Sequence, residues 1–127
     1  MTGKKADKIL IIEDDSFISD MYKIKFESEG FDVMVASDGI QGLETVGKEY
    51  PDLILLDVVM SKMDGFAVLQ KLKKTPETKD IPVIMLTNLG QKDSVEKGLK
   101  LGAVDYVIKA HFTPMEVVEK VKEILNK

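Results

Sequence analysis

The sequence contains no cysteine. Disulfide frameworks, thiolate zinc sites and thiol nucleophiles are therefore excluded, and such usage suits a reducing compartment. Also missing is any apolar segment long enough for a signal peptide or a membrane span, and Met1–Lys8 is polar and basic. A soluble cytoplasmic protein is expected. Nor is there a concentrated basic patch: the 18 basic residues are scattered, the net charge is −4 and the pI is near 5.1. Direct nucleic-acid binding needs Lys or Arg gathered at phosphates, so this distribution argues against it. Lys71, Lys73 and Lys74 form the densest cluster and read as the solvated C-terminal end of an amphipathic helix. Repeats, low-complexity tracts and internal linkers are absent too. At 127 residues the chain makes one domain that buries roughly two-thirds of its unfolded surface.

What is present is organised around Pro51-Asp52-Leu53-Ile54-Leu55-Leu56-Asp57. Leu53 to Leu56 is a short, wholly apolar run, as expected of a strand covered on both faces in a parallel sheet. Asp57 ends it, placing a carboxylate at the carboxyl-end rim where open α/β folds bind ligands.

The remaining chain alternates strand and helix. Lys8 to Ile12 is the first strand, followed by Glu13-Asp14-Asp15. A helix is expected over Ser16 to Glu29, with Phe17, Met21 and Ile24 on an inward stripe beside Ile18 and Tyr22, and Gly30 closing it. Asp15, together with Ser16, is expected to cap it. Phe31 to Ala36 is expected near a sheet edge. Asp38 caps a helix reaching Lys48, with Gln41 placed to complete a capping box. After Asp57, a helix over Asp64 to Lys74 carries Phe66, Leu69 and Leu72. Ile81 to Leu86 forms the fourth strand and ends in Thr87. Ser94 to Leu101 is a helix with Val95 and Leu99 inward, stopped by Gly102. Val104 to Ile108 is the fifth strand and ends in Lys109. Thr113, Pro114 and Glu116 open a last helix that buries Val117, Val118, Val121, Ile124 and Leu125. Five alternating units predict an α/β fold with one parallel sheet and helices on both faces. With the chain stopping after the fifth helix, no attached DNA-binding or catalytic domain is expected.

Four of the five expected strands end in a functional group: Glu13 and Asp14, Asp57, Thr87, and Lys109. A parallel sheet brings all these ends to one rim. Carboxylates held about 4 Å apart repel by roughly 4 kcal/mol per pair at an effective dielectric near 20. They must take up a proton or hold a cation. With no histidine or cysteine among them the ligands are all oxygen, so the ion is hard: Mg²⁺ first, Mn²⁺ as a substitute, Ca²⁺ less suited to so few ligands. A carboxylate nucleophile, Mg²⁺, a lysine and a threonine hydroxyl together equip a site for phosphoryl transfer, with Asp57 becoming an acyl phosphate.

These residues, with Asp64-Gly65 and Tyr106-Val107-Ile108-Lys109, resemble the signature of the receiver domain of two-component response regulators, from about Lys8 to Leu125. The resemblance implies a flavodoxin-like sheet of order 2-1-3-4-5 in a receiver domain over 8–127, preceded by a polar tail over 1–7. It implies that Glu13, Asp14, Asp57 and the backbone carbonyl of Val59 hold Mg²⁺. A histidine kinase or phosphotransfer protein would phosphorylate Asp57, Thr87 would swing toward the phosphoryl group, and Tyr106 would turn inward. Those movements would reshape the face made by the fourth helix, fifth strand and fifth helix, which binds a downstream protein. A monomer or weak homodimer, without direct nucleic-acid or membrane contact and turning over no external substrate, is expected.

Three positions depart from the family pattern. Ser61 stands where proline usually follows Met60, Ala110 where proline usually follows the lysine, and Asn88 where a small residue usually follows the threonine. Ala110 is expected to give a trans link with a shifted loop, or strain. Asn88 is expected to narrow access to the phosphoryl group. Val59 and Leu89, both apolar, are expected to position an attacking water poorly, giving a long-lived phosphoryl group. His111 reads as a surface residue. A phosphorylation-independent adaptor is the alternative. A phosphatase is disfavoured because Val59 stands where a second aspartate would be needed.

Overall fold

The computed structural model describes residues 6–127, so of the expected polar tail over 1–7 all but Ala6 and Asp7 lies outside the described residues. The elements are β1 (Lys8–Ile12), α1 (Ser16–Ser28), β2 (Asp32–Ala36), α2 (Gly39–Glu49), β3 (Leu53–Leu56), α3 (Gly65–Lys74), β4 (Val83–Thr87), α4 (Lys92–Lys100), β5 (Asp105–Ile108) and α5 (Pro114–Ile124). All four strand pairings are parallel, in the order β2-β1-β3-β4-β5. The order reverses at β1, which pairs with both β2 and β3, and this opens a crevice at the carboxyl ends of those strands. Among the described residues no helix is long and apolar enough to cross a membrane.

Successive side chains on a strand point to opposite faces, so each apolar run feeds two cores. Ile9, Ile11, Leu53, Leu55, Ile84 and Leu86 meet Tyr22 and Phe26 of α1 and Val117, Val118 and Val121 of α5. Leu10, Ile12, Ile54, Leu56 and Met85 meet Val46 of α2 and Val68, Leu69 and Leu72 of α3. Asp15 caps α1, accepting from the Phe17 and Ile18 N–H groups, and Gly30 takes the positive φ of +93° that ends it. The Thr113–Glu116 capping box with Pro114 at the first turn opens α5.

Several expectations need correction. Phe17, Met21 and Ile24 are 81%, 40% and 69% exposed; α1 instead buries Ser19, Tyr22 and Phe26. Both stripes have helical spacing, and the larger aromatic pair faces the sheet, with Phe26 edge-on to Phe31. On α4 it is Gly98 that is buried, while Leu99 is exposed. The Tyr106 ring beneath leaves no room for more: a Cβ at Gly98 would lie 2.8 Å from Tyr106 Cδ2. Gln41 does not close the box on Asp38; its Oε1 accepts from the N–H and hydroxyl of Ser37. β4 begins at Val83, not Ile81, although the Pro82 carbonyl still accepts from the Ile54 N–H. Val104 lies outside β5 and is half exposed.

The loop from β3 to α3 folds back so closely that α3 starts on the Asp57 backbone. Asp64 caps α3, and the Gly65 N–H donates to the Val58 carbonyl at 2.8 Å. A Cβ at Gly65 would lie 2.1 Å from the Asp57 carbonyl oxygen, a clash with backbone that cannot step aside. Gly65→Ala should therefore cost about 1–3 kcal/mol, as overpacked sites do. Urea denaturation should show it as a lower midpoint with an unchanged slope.

Candidate functional site

Hydrogen bonds of the sheet place the two buried carboxylates. The Asp57 N–H donates to the Ile12 carbonyl and the Glu13 N–H to the Ala36 carbonyl, fixing where β3 and β1 release their chains. Glu13 is 4% exposed and Asp57 8%. Asp57 Oδ1 accepts from the Val58 N–H at 2.7 Å, and Glu13 Oε2 from the Asp15 N–H at 3.1 Å. Asp14, exposed, completes a group in which one carboxylate oxygen from each of Glu13, Asp14 and Asp57 lies within 4.8 Å of the others.

Lys109 arrives from the far side of the cleft, just after β5. Its Nζ donates to Glu13 Oε1 and lies 3.4 Å from Asp57 Oδ2. Burial works to lower the lysine pKa, but the hydrogen bond to Glu13 and the charge of Asp57 outweigh it and hold the ammonium above its ordinary value. Glu13 is pushed up, chiefly by burial, with the neighbouring charge of Asp57 adding to it against the bond from Lys109. Three carboxylates against one ammonium leave the cluster negative. With oxygen donors alone, it could hold a hard divalent cation such as Mg²⁺.

The cleft above these groups has a volume of about 430 Å³, and Thr87, Asn88, Val59 and Leu89 also line it. Thr87 is 1% exposed, at the end of β4, and its Oγ1 accepts from the Leu89 N–H at 3.2 Å. Tyr106 is half-buried on β5, outside the cleft, and its hydroxyl donates to the Leu89 carbonyl. Burial first and then the charge of Asp57 raise its phenol pKa. His111 is exposed and lines no part of the cleft.

Two features were not legible in the sequence. Tyr22 shares a side groove with Lys109, Asn88 and Ala110, and burial raises its phenol pKa. The Asn88 side chain, exposed at the cleft wall, accepts from the Ala110 N–H at 3.0 Å. The Lys109–Ala110 peptide is trans and sits in a 3₁₀ turn over Lys109–His111.

Residues 9–122 match the family model for the response regulator receiver domain. A DNA-binding dual master transcriptional regulator, RpaA, from Synechocystis is 44% identical over 94% of this chain and 49% of its own length. The phosphate regulon transcriptional regulatory protein PhoB of Escherichia coli is 35% identical over 96% of this chain and 53% of its own length. The chain thus spans about half the length of the curated relatives it matches. Among solved structures, a response regulator from Chloroflexus aurantiacus superposes with a TM-score of 0.90 at 32% identity, covering 97% of this chain and 100% of its own. A CheY-like receiver domain protein from Methanospirillum hungatei gives 0.88 at 31% identity, covering 95% and 94%.

Because folding holds the Lys109 proton more tightly, its bonds stabilise the protein fully below 10.5, the ordinary lysine value, and that stability is lost as pH rises through the higher folded value. Lys109→Met should be less stable than the wild type at pH 7 by about 1.5–3 kcal/mol, the worth of a charged hydrogen bond. Urea titrations of both proteins at rising pH should show this gap closing in the alkaline range.

Proposed function

The chain belongs to the response regulator receiver domain family, and on that footing we propose that it accepts a phosphoryl group on Asp57 and signals through the resulting change of shape. The observation that carries this reading is a buried carboxylate at a strand end, faced by two further carboxylates and a lysine. The donor is a histidine kinase or phosphotransfer protein. A carboxylate oxygen of Asp57 forms the bond to phosphorus as the donor's phosphorus–nitrogen bond breaks, its electron pair leaving on the imidazole.

Glu13, Asp14 and Asp57, with the Val59 backbone carbonyl, would hold Mg²⁺ or, in its place, Mn²⁺. When bound, the ion supplies charge neutralisation at the phosphoryl oxygens. Lys109 also neutralises the phosphoryl oxygens, exchanging contact with the Asp57 carboxylate for contact with the group transferred to it. Thr87, held by the Leu89 N–H before transfer, turns its hydroxyl to a phosphoryl oxygen. Leu89 moves with it and releases or redirects Tyr106, which is bonded to its carbonyl. The α4–β5–α5 face, which includes Tyr106 on β5, thereby takes on a second shape that a protein target reads. The chain turns over no external substrate, contacts neither nucleic acid nor membrane directly, and works in the cytoplasm.

The test is intact mass after incubation with acetyl phosphate, with and without Mg²⁺, for the wild type and Asp57→Asn. One added phosphoryl group is expected, only in the wild type and only with Mg²⁺. No adduct in any sample would instead favour an adaptor that works without phosphorylation.

A further inference from the structure

Ala110 and Asn88 belong to different loops, one just after β5 and the other just after β4, 22 residues apart. Their bond joins the two loops at the rim of the cleft. Ala110 lies in the 3₁₀ turn whose closing bond runs from the Phe112 N–H to the Lys109 carbonyl. The early N–H groups of such a turn have no partner within it. β5 ends at Ile108, so no strand pairing reaches Ala110 either. Among the described residues, the Asn88 side chain supplies the partner. Since the donor is an N–H, the amide oxygen must face it, and the rotation of the Asn88 side chain is fixed by that choice.

We propose that Asn88 is a positioning residue for Lys109: by holding the Ala110 N–H it fixes the Lys109–Ala110 peptide plane and aims the lysine side chain at Glu13 and Asp57. Lys109 is flexible along its stem, so the direction in which its backbone launches it decides whether Nζ reaches both carboxylates. The Phe112 N–H holds the carbonyl of the same peptide from within the turn, and the Asn88 bond is what ties that plane to the loop after β4. The neighbouring bond from the Tyr106 hydroxyl to the Leu89 carbonyl ties the next residue of the same loop to β5. Asn88 thus stands between the buried Thr87 and a Leu89 held at both its N–H and its carbonyl, and can bear on the turn. Its exposed amide, which could have been an obstacle at the mouth of the cleft, is committed to the wall.

This assignment rests on Asp57 accepting a phosphoryl group, and its test separates the two. Phosphoryl uptake from acetyl phosphate with saturating Mg²⁺ is measured for the wild type, Asn88→Ala, Lys109→Met and the double variant. Amide hydrogen exchange at Ala110 is followed in the wild type and Asn88→Ala. Asn88→Ala should slow uptake roughly three- to tenfold, in keeping with the loss of one ordinary hydrogen bond. Ala110 should exchange about tenfold faster for the same reason. In the Lys109→Met background the same substitution should change the rate no further, because the side chain it aims is gone. An equal slowing with and without Lys109, or faster uptake in Asn88→Ala, would show that Asn88 acts on the phosphoryl group itself and would overturn the assignment. Unchanged exchange at Ala110 would overturn it as well. If the wild type takes up no phosphoryl group, the reading of Asp57 fails, and the Ala110 exchange alone still decides whether the bond holds the turn.

Discussion

The carboxylates at the ends of β1 and β3 are forced together by the sheet, and the structure depends on how that repulsion is relieved. Parallel pairing of Ile9–Ile12 with Leu53–Leu56 leaves Glu13 and Asp57 no choice of separation. Burial aggravates the problem, because two side chains this little exposed have little water to screen their charges. Lys109 offsets it from the turn after a third strand, β5, bonded to Glu13 and 3.4 Å from Asp57. Among the described residues that ammonium is the cation in contact with both buried carboxylates.

The demand for Lys109 propagates outward. β5 must end at the right height, which the register of Thr87 against Ile108 provides. The chain must then turn so that the lysine points back over the sheet, which the 3₁₀ turn and the Asn88 bond accomplish. Behind β5, Gly98 lets α4 settle on the Tyr106 ring. That ring carries the hydroxyl that reaches Leu89, whose N–H in turn engages Thr87. One chain of contacts therefore links the cleft to the buried side of α4.

Two of the departures from the family pattern are related in space. Ala110, unlike a proline, has an N–H to satisfy, and Asn88 is the residue that satisfies it. Ser61 precedes Lys62, which holds a left-handed φ of +67° in the loop after β3.

Strand content, topology class and the strand-end residues were legible in the sequence because apolar runs of four to five residues with polar ends leave few alternatives once they alternate with helices. The caps at Asp15 and Thr113 were equally legible, since capping is a local matter of one side chain and the next turn. Helix facing was not. Phe17, Met21 and Ile24 form as good a stripe as Ile18, Tyr22 and Phe26, and only the sheet beneath α1 decides between them. Likewise a glycine within α4 carries no sign that an aromatic ring lies under it. The sequence by itself determined which groups stand at the strand ends, because hydrophobic runs and chain direction are local properties. Only the tertiary structure decided which of them touch, how burial shifts their protons, and that an asparagine after one strand holds the turn after another, because those depend on distances between residues far apart in the chain.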